Sequence, residues 1–355
     1  MASPVNKVNG KDLNANPNFN GWGVESRLGV KIAGPEFFGM KSEALIESHF
    51  FGSSDASINT LALRHAYVKL SSDKVEWLVG QFWHPMFVTN VSPRTYNFNA
   101  GSPFQPFNRS PQIRFSTKGN ARLTLAAITE RDFASVGGKA NLSALPAFHA
   151  QLQFGNDDKF VGGFGANYKS LKSGLRGEYF GAFTFLAYAK AKLGQNSAWQ
   201  IYADYGQNPS ELLQLGGVAV DAKGKYKSNN TLALWTEFYG DFTPSFEWGI
   251  FGGYSKDFGF SKNTTPSATK FGQMADIINP LTGKVEGQYL AGTPISTWRV
   301  SPRVGWKSGN TKLTAELDYT STTYGAWDTN LKTKKYAQDA TAGNFRVSLS
   351  LIQNF

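Results

Sequence analysis

Four histidines, His49, His65, His84 and His149, are the side chains of this 355-residue chain best suited to moving a proton or holding a metal. Their spacing supports neither task. There is no His-x-His pair and no HExxH face, and neither Ser48-His49 nor His84 has a partner that would complete a nucleophile–base pair. Cysteine is absent, which removes thiolate chemistry and Cys-ligated metal. The chain is expected not to be an enzyme and to use no cofactor and no metal. What remains is recognition by charge. The segment 88–110 carries only two charged residues, Arg94 and Arg109, among Tyr96, Phe98, Phe104, Phe107, Pro93, Pro103 and Pro106. Guanidinium forks match planar carboxylates and phosphates, so Arg94 and Arg109, with Arg114 and Arg122 further on, are the groups expected to face an anion. Prolines stiffen such a segment and its aromatics let it pack, unlike a mobile surface loop.

The elements that must hold these groups read as strands throughout. Candidates fall at roughly 22–33, 40–52, 58–71, 75–87, 111–118, 121–132, 147–155, 160–169, 178–193, 198–206, 230–240, 245–256, 297–307, 311–324 and 343–355. Alternation is plain in many: Leu313, Ala315, Leu317 and Tyr319 oppose Lys312, Thr314, Glu316 and Asp318, and Trp298, Val300, Val304 and Trp306 oppose Arg299, Ser301 and Arg303. The last strand places Phe345, Val347, Leu349, Leu351 and the terminal Phe355 on one face. A chain-terminal aromatic on such a strand is expected to serve membrane insertion of a β-barrel. No window reads as an amphipathic helix, and no run reaches the roughly 18 apolar residues of a spanning helix.

Short connections such as Ser72–Lys74, Gly119–Asn120 and Ser308–Asn310 alternate with longer ones at 53–57, 88–110, 133–146, 170–177, 207–229, 257–296 and 325–342. Short turns on one side and long loops on the other are the asymmetry of outer-membrane barrels. Aromatics at both strand ends, Trp77, Trp199 and Trp248 near the turns and Trp22, Trp83 and Trp298 near the loops, suit two headgroup belts. An even-stranded wall needs one strand more than the fifteen candidates, so the first is expected to be missing ahead of residue 1 or formed poorly by 1–10. No secretory leader is visible, and the numbering is expected to start on a mature or shortened chain. Residues 1–21 read as a polar, extracellular loop segment, and 22–355 as one barrel.

The net charge of +10 is scattered along the chain and not gathered on one element, which argues against nucleic acid. Alternation puts Arg27, Lys31, Arg64, Arg114, Arg122, Lys190, Lys192, Arg299, Arg303 and Arg346 on the wet face, against Glu25, Glu43, Glu47, Glu76, Glu178, Asp204, Glu237, Glu247, Glu316 and Asp318. That wall is balanced; the long-side connections with 1–21 carry +7 of the +10. A weak anion preference and an unselective wall of transverse ion pairs both fit. Ser26, Ser48, His65 and Gln81 fall on the face meant for lipid, which points to contact with another protomer unless a bulge turns them inward.

The run Gly80-Gln81-Phe82-Trp83-His84-Pro85-Met86-Phe87, followed by Phe98-Asn99-Ala100-Gly101-Ser102-Pro103-Phe104-Gln105-Pro106-Phe107 and Arg109-Ser110-Pro111-Gln112-Ile113-Arg114, resembles porin-like outer-membrane proteins of Bacteroidetes. More distantly it is similar to the DcaP-like branch of trimeric Gram-negative porins. The resemblance covers most of the chain from about Asn16 and implies a porin role, a homotrimer and an additional N-terminal strand.

The expectation is an all-β, transmembrane antiparallel barrel of the sixteen-strand porin type in a Gram-negative outer membrane. It would sit among outer-membrane lipids and pass small hydrophilic, weakly preferred anionic solutes by diffusion. Segment 88–110 would narrow the pore with Arg94, Arg109, Arg114, Arg122, Tyr96 and Phe98, or else cover a neighbouring subunit; Arg64, Arg299, Arg303, Glu47, Glu316 and Asp318 would line the wall. A non-conducting scaffold or adhesin, using the long loop 257–296, is the alternative, and a barrel hydrolase a weaker one.

Overall fold

Alternating sequence becomes pleat, and each run finds its partner in the next. The computed structural model describes residues 3, 5, 7–51, 59–97, 100–129, 143–156, 159–172, 178–221, 225–260, 264–265, 293–327 and 336–355. Among the described residues fifteen strands form the wall: β1 Arg27–Ala33, β2 Lys41–His49, β3 Ala62–Ser71, β4 Val75–Trp83 and β5 Arg109–Thr117. They continue with β6 Ala121–Ile128, β7 Ala147–Asn156, β8 Phe160–Lys172, β9 Tyr179–Lys192 and β10 Ser197–Gln207. The last five are β11 Asn230–Thr243, β12 Phe246–Gly259, β13 Thr293–Ser308, β14 Thr311–Trp327 and β15 Tyr336–Gln353. All belong to one antiparallel sheet in strict sequence order, with β1 and β15 at its edges. Tight turns use glycine where the backbone needs positive φ, as at Gly194 (φ 77°) and Gly309 (φ 55°). Lys7–Val8 and Lys11–Asp12 form a separate hairpin that does not join the sheet, so these residues do not supply the further strand expected from parity.

The two faces of the wall differ in chemistry. Val79, Ile113, Ala127, Phe148, Tyr168 and Phe183 are cross-strand neighbours from β4 to β9, and the large side chains of this row are turned outward, Phe183 being 51% exposed. One residue along, Arg114, Ala126, His149, Asn167 and Thr184 form the matching inner row, all but Arg114 buried. Apolar outside and polar inside is the inverse of a soluble sandwich.

Of the two readings given for the polar residues on the lipid face, a bulge accounts for His65. The β2–β3 ladder slips between Glu47 and Ser48, so that Arg64 and His65 both oppose Glu47. The bulge turns His65 inward, away from the lipid face assigned to it, with Nε2 3.9 Å from Glu47 and Arg64 Nε at 2.6 Å. Gln81 amide Nε2 donates to the carbonyls of Leu63 and Arg64, at 3.4 and 3.1 Å, which the bulge leaves short of partners.

Inside the sheet lies an apolar cluster. Met86, Val88, Val91 and Phe104 come from the connection between β4 and β5; Val161, Leu186, Tyr188, Tyr202, Trp235 and Phe251 come from the inner faces of β8–β12, with Leu212 between them. A connection that leaves β4 and reaches β12 requires the sheet to curl around it. Each large side chain buried in this way contributes roughly 1.5–3 kcal/mol.

Candidate functional site

The connection 84–108 is gripped by the wall at nearly every second residue. It starts and ends together, His84 N–H donating to the carbonyl of Asn108 at 2.9 Å. Lys190 on β9, Gln200 on β10 and Glu237 on β11 are in register as one transverse row. That row meets Asn90, Ser92 and Arg94 in order. Lys190 Nζ donates to the Asn90 carbonyl at 3.4 Å and Gln200 Nε2 to the Ser92 carbonyl at 2.9 Å. The Arg94 N–H is shared by both Glu237 oxygens, each at 3.2 Å. An extended chain repeats its orientation every two residues, which is why alternate residues find successive strands.

Further on, wall carboxylates take the loop's amides. Tyr96 N–H donates to Glu316 Oε2 at 2.6 Å and Asn97 N–H to Oε1 at 3.3 Å. Asn97 Nδ2 bridges Glu316 and Asp318, 2.8 Å from each. Asp318 also accepts from the Ser301 hydroxyl. Beyond the tip, Arg299 Nη1 donates to the Ser102 carbonyl at 3.1 Å and Trp235 Nε1 to Gln105 Oε1 at 2.7 Å. Hydrogen bonds to ionised acceptors are about twice as strong as neutral ones, so the loop is held firmly.

Three glycines make room for it. A Cβ at Gly253 would run into the Phe104 ring, one at Gly249 into the Arg303 guanidinium, and one at Gly305 would lie 2.8 Å from the Tyr96 hydroxyl. Gly249 lets Arg303 of β13 reach over β12 to Glu237 of β11, an ion pair of 2.6 Å. Tyr96 is flanked by Arg303, 5.8 Å from its ring centroid, and Lys312, at 5.5 Å.

A second segment, 208–217, within the long connection 207–229, also folds inward. A single 3-10 turn at Ser210–Leu212 places Glu211 against Lys169, and the Leu212 carbonyl accepts from Phe107 N–H at 2.8 Å. Gln214 Nε2 donates to Asp204 Oδ2 at 2.7 Å. The uncharged run Leu212-Leu213-Gln214-Leu215-Gly216-Gly217-Val218 is the signal that could have found it, by the same criterion that singles out 88–110. At the joint between the two segments sits His84, fully buried and pushed down to about 3, chiefly by desolvation.

Together the two segments lie against the inner faces of β8–β14, whereas β1 and β15 are exposed along most of their length. On the covered side lie Glu237, Glu316, Asp318, Arg299 and Arg303, all buried. On the open side most cations are paired: Arg27 with Glu25 at 2.9 Å, Lys31 and Lys69 both with Glu43 at 2.8 and 3.1 Å, and Arg122 with Glu76 at 3.8 Å. Arg64 is buried against Glu47 and contacts His49 Nδ1 at 3.3 Å. Among the described residues, Arg94, Arg109, Arg114 and Arg346 form no ion pair with a carboxylate. Arg94 is exposed, stacked over the Tyr239 ring at 4.5 Å. Arg114 lies along the wall, its Nε on Gln112 Oε1 at 2.9 Å. Arg346 faces Asp318 across the ladder, but Asp318 is turned to Asn97 and Ser301. Arg109 stands apart from Arg94, over the Trp83 and Phe107 rings at 4.2 and 5.1 Å. Phe98 lies outside the described residues, as does most of 257–296. Phe355 is fully exposed beyond the end of β15.

No family model and no curated protein sequence matches the chain. Solved structures do. The outer membrane channel DcaP of Acinetobacter baumannii superposes with a TM-score of 0.70 at 16% identity, over 96% of this chain and 89% of that one. The anion-selective porin from Comamonas acidovorans gives 0.54 at 12% identity, over 93% and 89%. OmpT of Vibrio cholerae in its trimer form gives 0.54 at 11% identity, over 92% and 90%. The chain has the all-β barrel fold of outer-membrane porins. The Bacteroidetes part of the sequence resemblance has no counterpart among these three.

Proposed function

We propose that the protein is a passive diffusion channel of a Gram-negative outer membrane, narrowed by segment 84–108, that admits small hydrophilic solutes with a weak preference for anions. One observation carries this reading: the inward segments cover only one side of the lumen, and the guanidiniums of Arg94, at the rim of the loop, and Arg346, on β15, are exposed without a carboxylate ion pair. The sequence count of wet-face charges is balanced, but their positions are not. Glu237, Glu316 and Asp318 are covered by the loop whose amides they bind, whereas Arg94 and Arg346 are exposed. Water screens each over about 8 Å at physiological salt, so the result is a bias and not a filter. A homotrimer in contact with outer-membrane lipids fits the exposed apolar face, and the trimer form of the Vibrio cholerae protein supports it.

Liposome swelling tests the reading. Vesicles containing the purified protein should swell in small neutral sugars, progressively less as sugar size rises, and faster in a small carboxylate than in an amine of equal size. Vesicles that do not swell in any of these solutes would contradict the channel and favour the non-conducting scaffold.

A further inference from the structure

We infer that Glu237 is a positioning residue for Arg94, so that neutralising this wall carboxylate weakens the preference for anions instead of strengthening it. The inference rests on the channel reading above.

Simple charge counting says the opposite. Removing a carboxylate from a pore wall leaves the lumen more positive and should favour anions. Glu237 is placed so that this direct effect is small. It is 0% exposed, lies beneath the loop, and its charge is matched by Arg303 at 2.6 Å. Its remaining acceptor capacity goes to the Gln200 amide and to the Arg94 N–H, which straddles both oxygens at 3.2 Å. Gln200 in turn holds the Ser92 carbonyl at 2.9 Å, so the Ser92-Pro93-Arg94 turn is gripped at both ends. Two residues along β11 on the same inner face, Tyr239 supports the Arg94 guanidinium at 4.5 Å. Backbone and side chain of Arg94 are therefore both fixed by β11. Glutamine at 237 would leave one acceptor oxygen for the three donors of Gln200, Arg303 and the Arg94 N–H and turn its own NH2 toward the rest, so the two-oxygen hold on the Arg94 N–H would be lost. An exposed guanidinium released by a few ångströms in water acts on passing ions far less than a fixed one.

Aspartate at 237 offers the same release without any change of charge. One methylene shorter, its carboxylate keeps its place under the loop beside Arg303 but draws back from the Arg94 N–H, which sits 3.2 Å from both glutamate oxygens. The open-side carboxylate Glu43, shared by Lys31 and Lys69, is the contrast: it has no contact with the loop among the described residues.

The test compares Glu237→Gln, Glu237→Asp and Glu43→Gln in planar bilayers under a tenfold KCl gradient, after heat-modified gel mobility has shown each to be folded. Glu43→Gln should raise the anion-to-cation permeability ratio, whereas Glu237→Gln and Glu237→Asp should each lower it about twofold. A ratio that rises in Glu237→Gln, or stays unchanged in Glu237→Asp, overturns the inference. The chain has no cysteine, so a single nitroxide at Arg94→Cys reports the tether independently of current. Its spectrum should be immobilised in the otherwise unchanged protein and mobile with Glu237→Gln; an unchanged spectrum overturns the inference. If Glu237→Gln does not fold, Glu237→Asp carries both measurements. An unmodified channel without anion preference would instead contradict the proposed function, and the spectrum alone would then decide the tether.

Discussion

At the residue scale, the charges that matter are separated from the charges that hold. Arg94 was legible in sequence as one of two charges in a stretch of prolines and aromatics, and that isolation is what an exposed, partnerless guanidinium looks like. Glu237, Gly249 and Gly253 were not legible as site residues, because their roles depend on which residues of three successive strands share one row. Phe104 fills the hollow over Gly253, so Phe104→Ala should cost about 3–5 kcal/mol of local loop stability and speed amide exchange across 84–108, as read by hydrogen-exchange mass spectrometry. His84 adds a pH dependence. Its value in the fold is about 3, below its ordinary 6.5, so above pH 6.5 both held and released loops carry a neutral imidazole. As pH falls below 6.5 the released loop binds a proton that the buried site refuses, and stability is lost progressively toward pH 3. Exchange at the loop base should therefore quicken on acidification, and His84→Gln should flatten that dependence.

At the element scale, the fifteen strands and the strict alternation of short and long connections were readable, because a period of two and a turn residue are local signals. Where the ladder slips, alternation alone could not choose between a lipid-facing His65 and a bulge, and the extra residue at Arg64 decides for the bulge. Segment 208–217 was missed for a different reason. Its apolar run is short, and only contact with Phe107 and Lys169 distinguishes it from a surface loop. Each wall strand pairs only with its sequence neighbours, so the sheet does not depend on the inward segments. Deleting residues 88–107 should accordingly leave the β-sheet circular dichroism intact, raise single-channel conductance severalfold and abolish most charge preference. A deletion that prevents folding would show the loop to be part of the wall's own stability.

For the whole molecule, the inversion of apolar and polar faces organises everything else. It was legible because lipid contact needs only alternate residues, which leaves an unremarkable composition, 41% apolar, with a periodic pattern inside it. The eccentric lumen was not legible, since it arises from two connections folding against one side of a curved sheet. Phe185 lies near the middle of β9 on the outer face and is 57% exposed, so Phe185→Lys should destabilise the folded protein in lipid vesicles by roughly 2–4 kcal/mol. Ser348→Lys, on the inner face of β15 opposite Glu316, should change urea stability far less. Equal losses for the two would mean that the faces have been assigned wrongly. The most direct measurement is single-channel recording of the unmodified protein in a planar bilayer with a KCl gradient. Discrete conductance steps with a reversal potential on the chloride side are predicted; a silent bilayer, or a reversal on the potassium side, would contradict an anion-preferring aqueous path beside the inward segments.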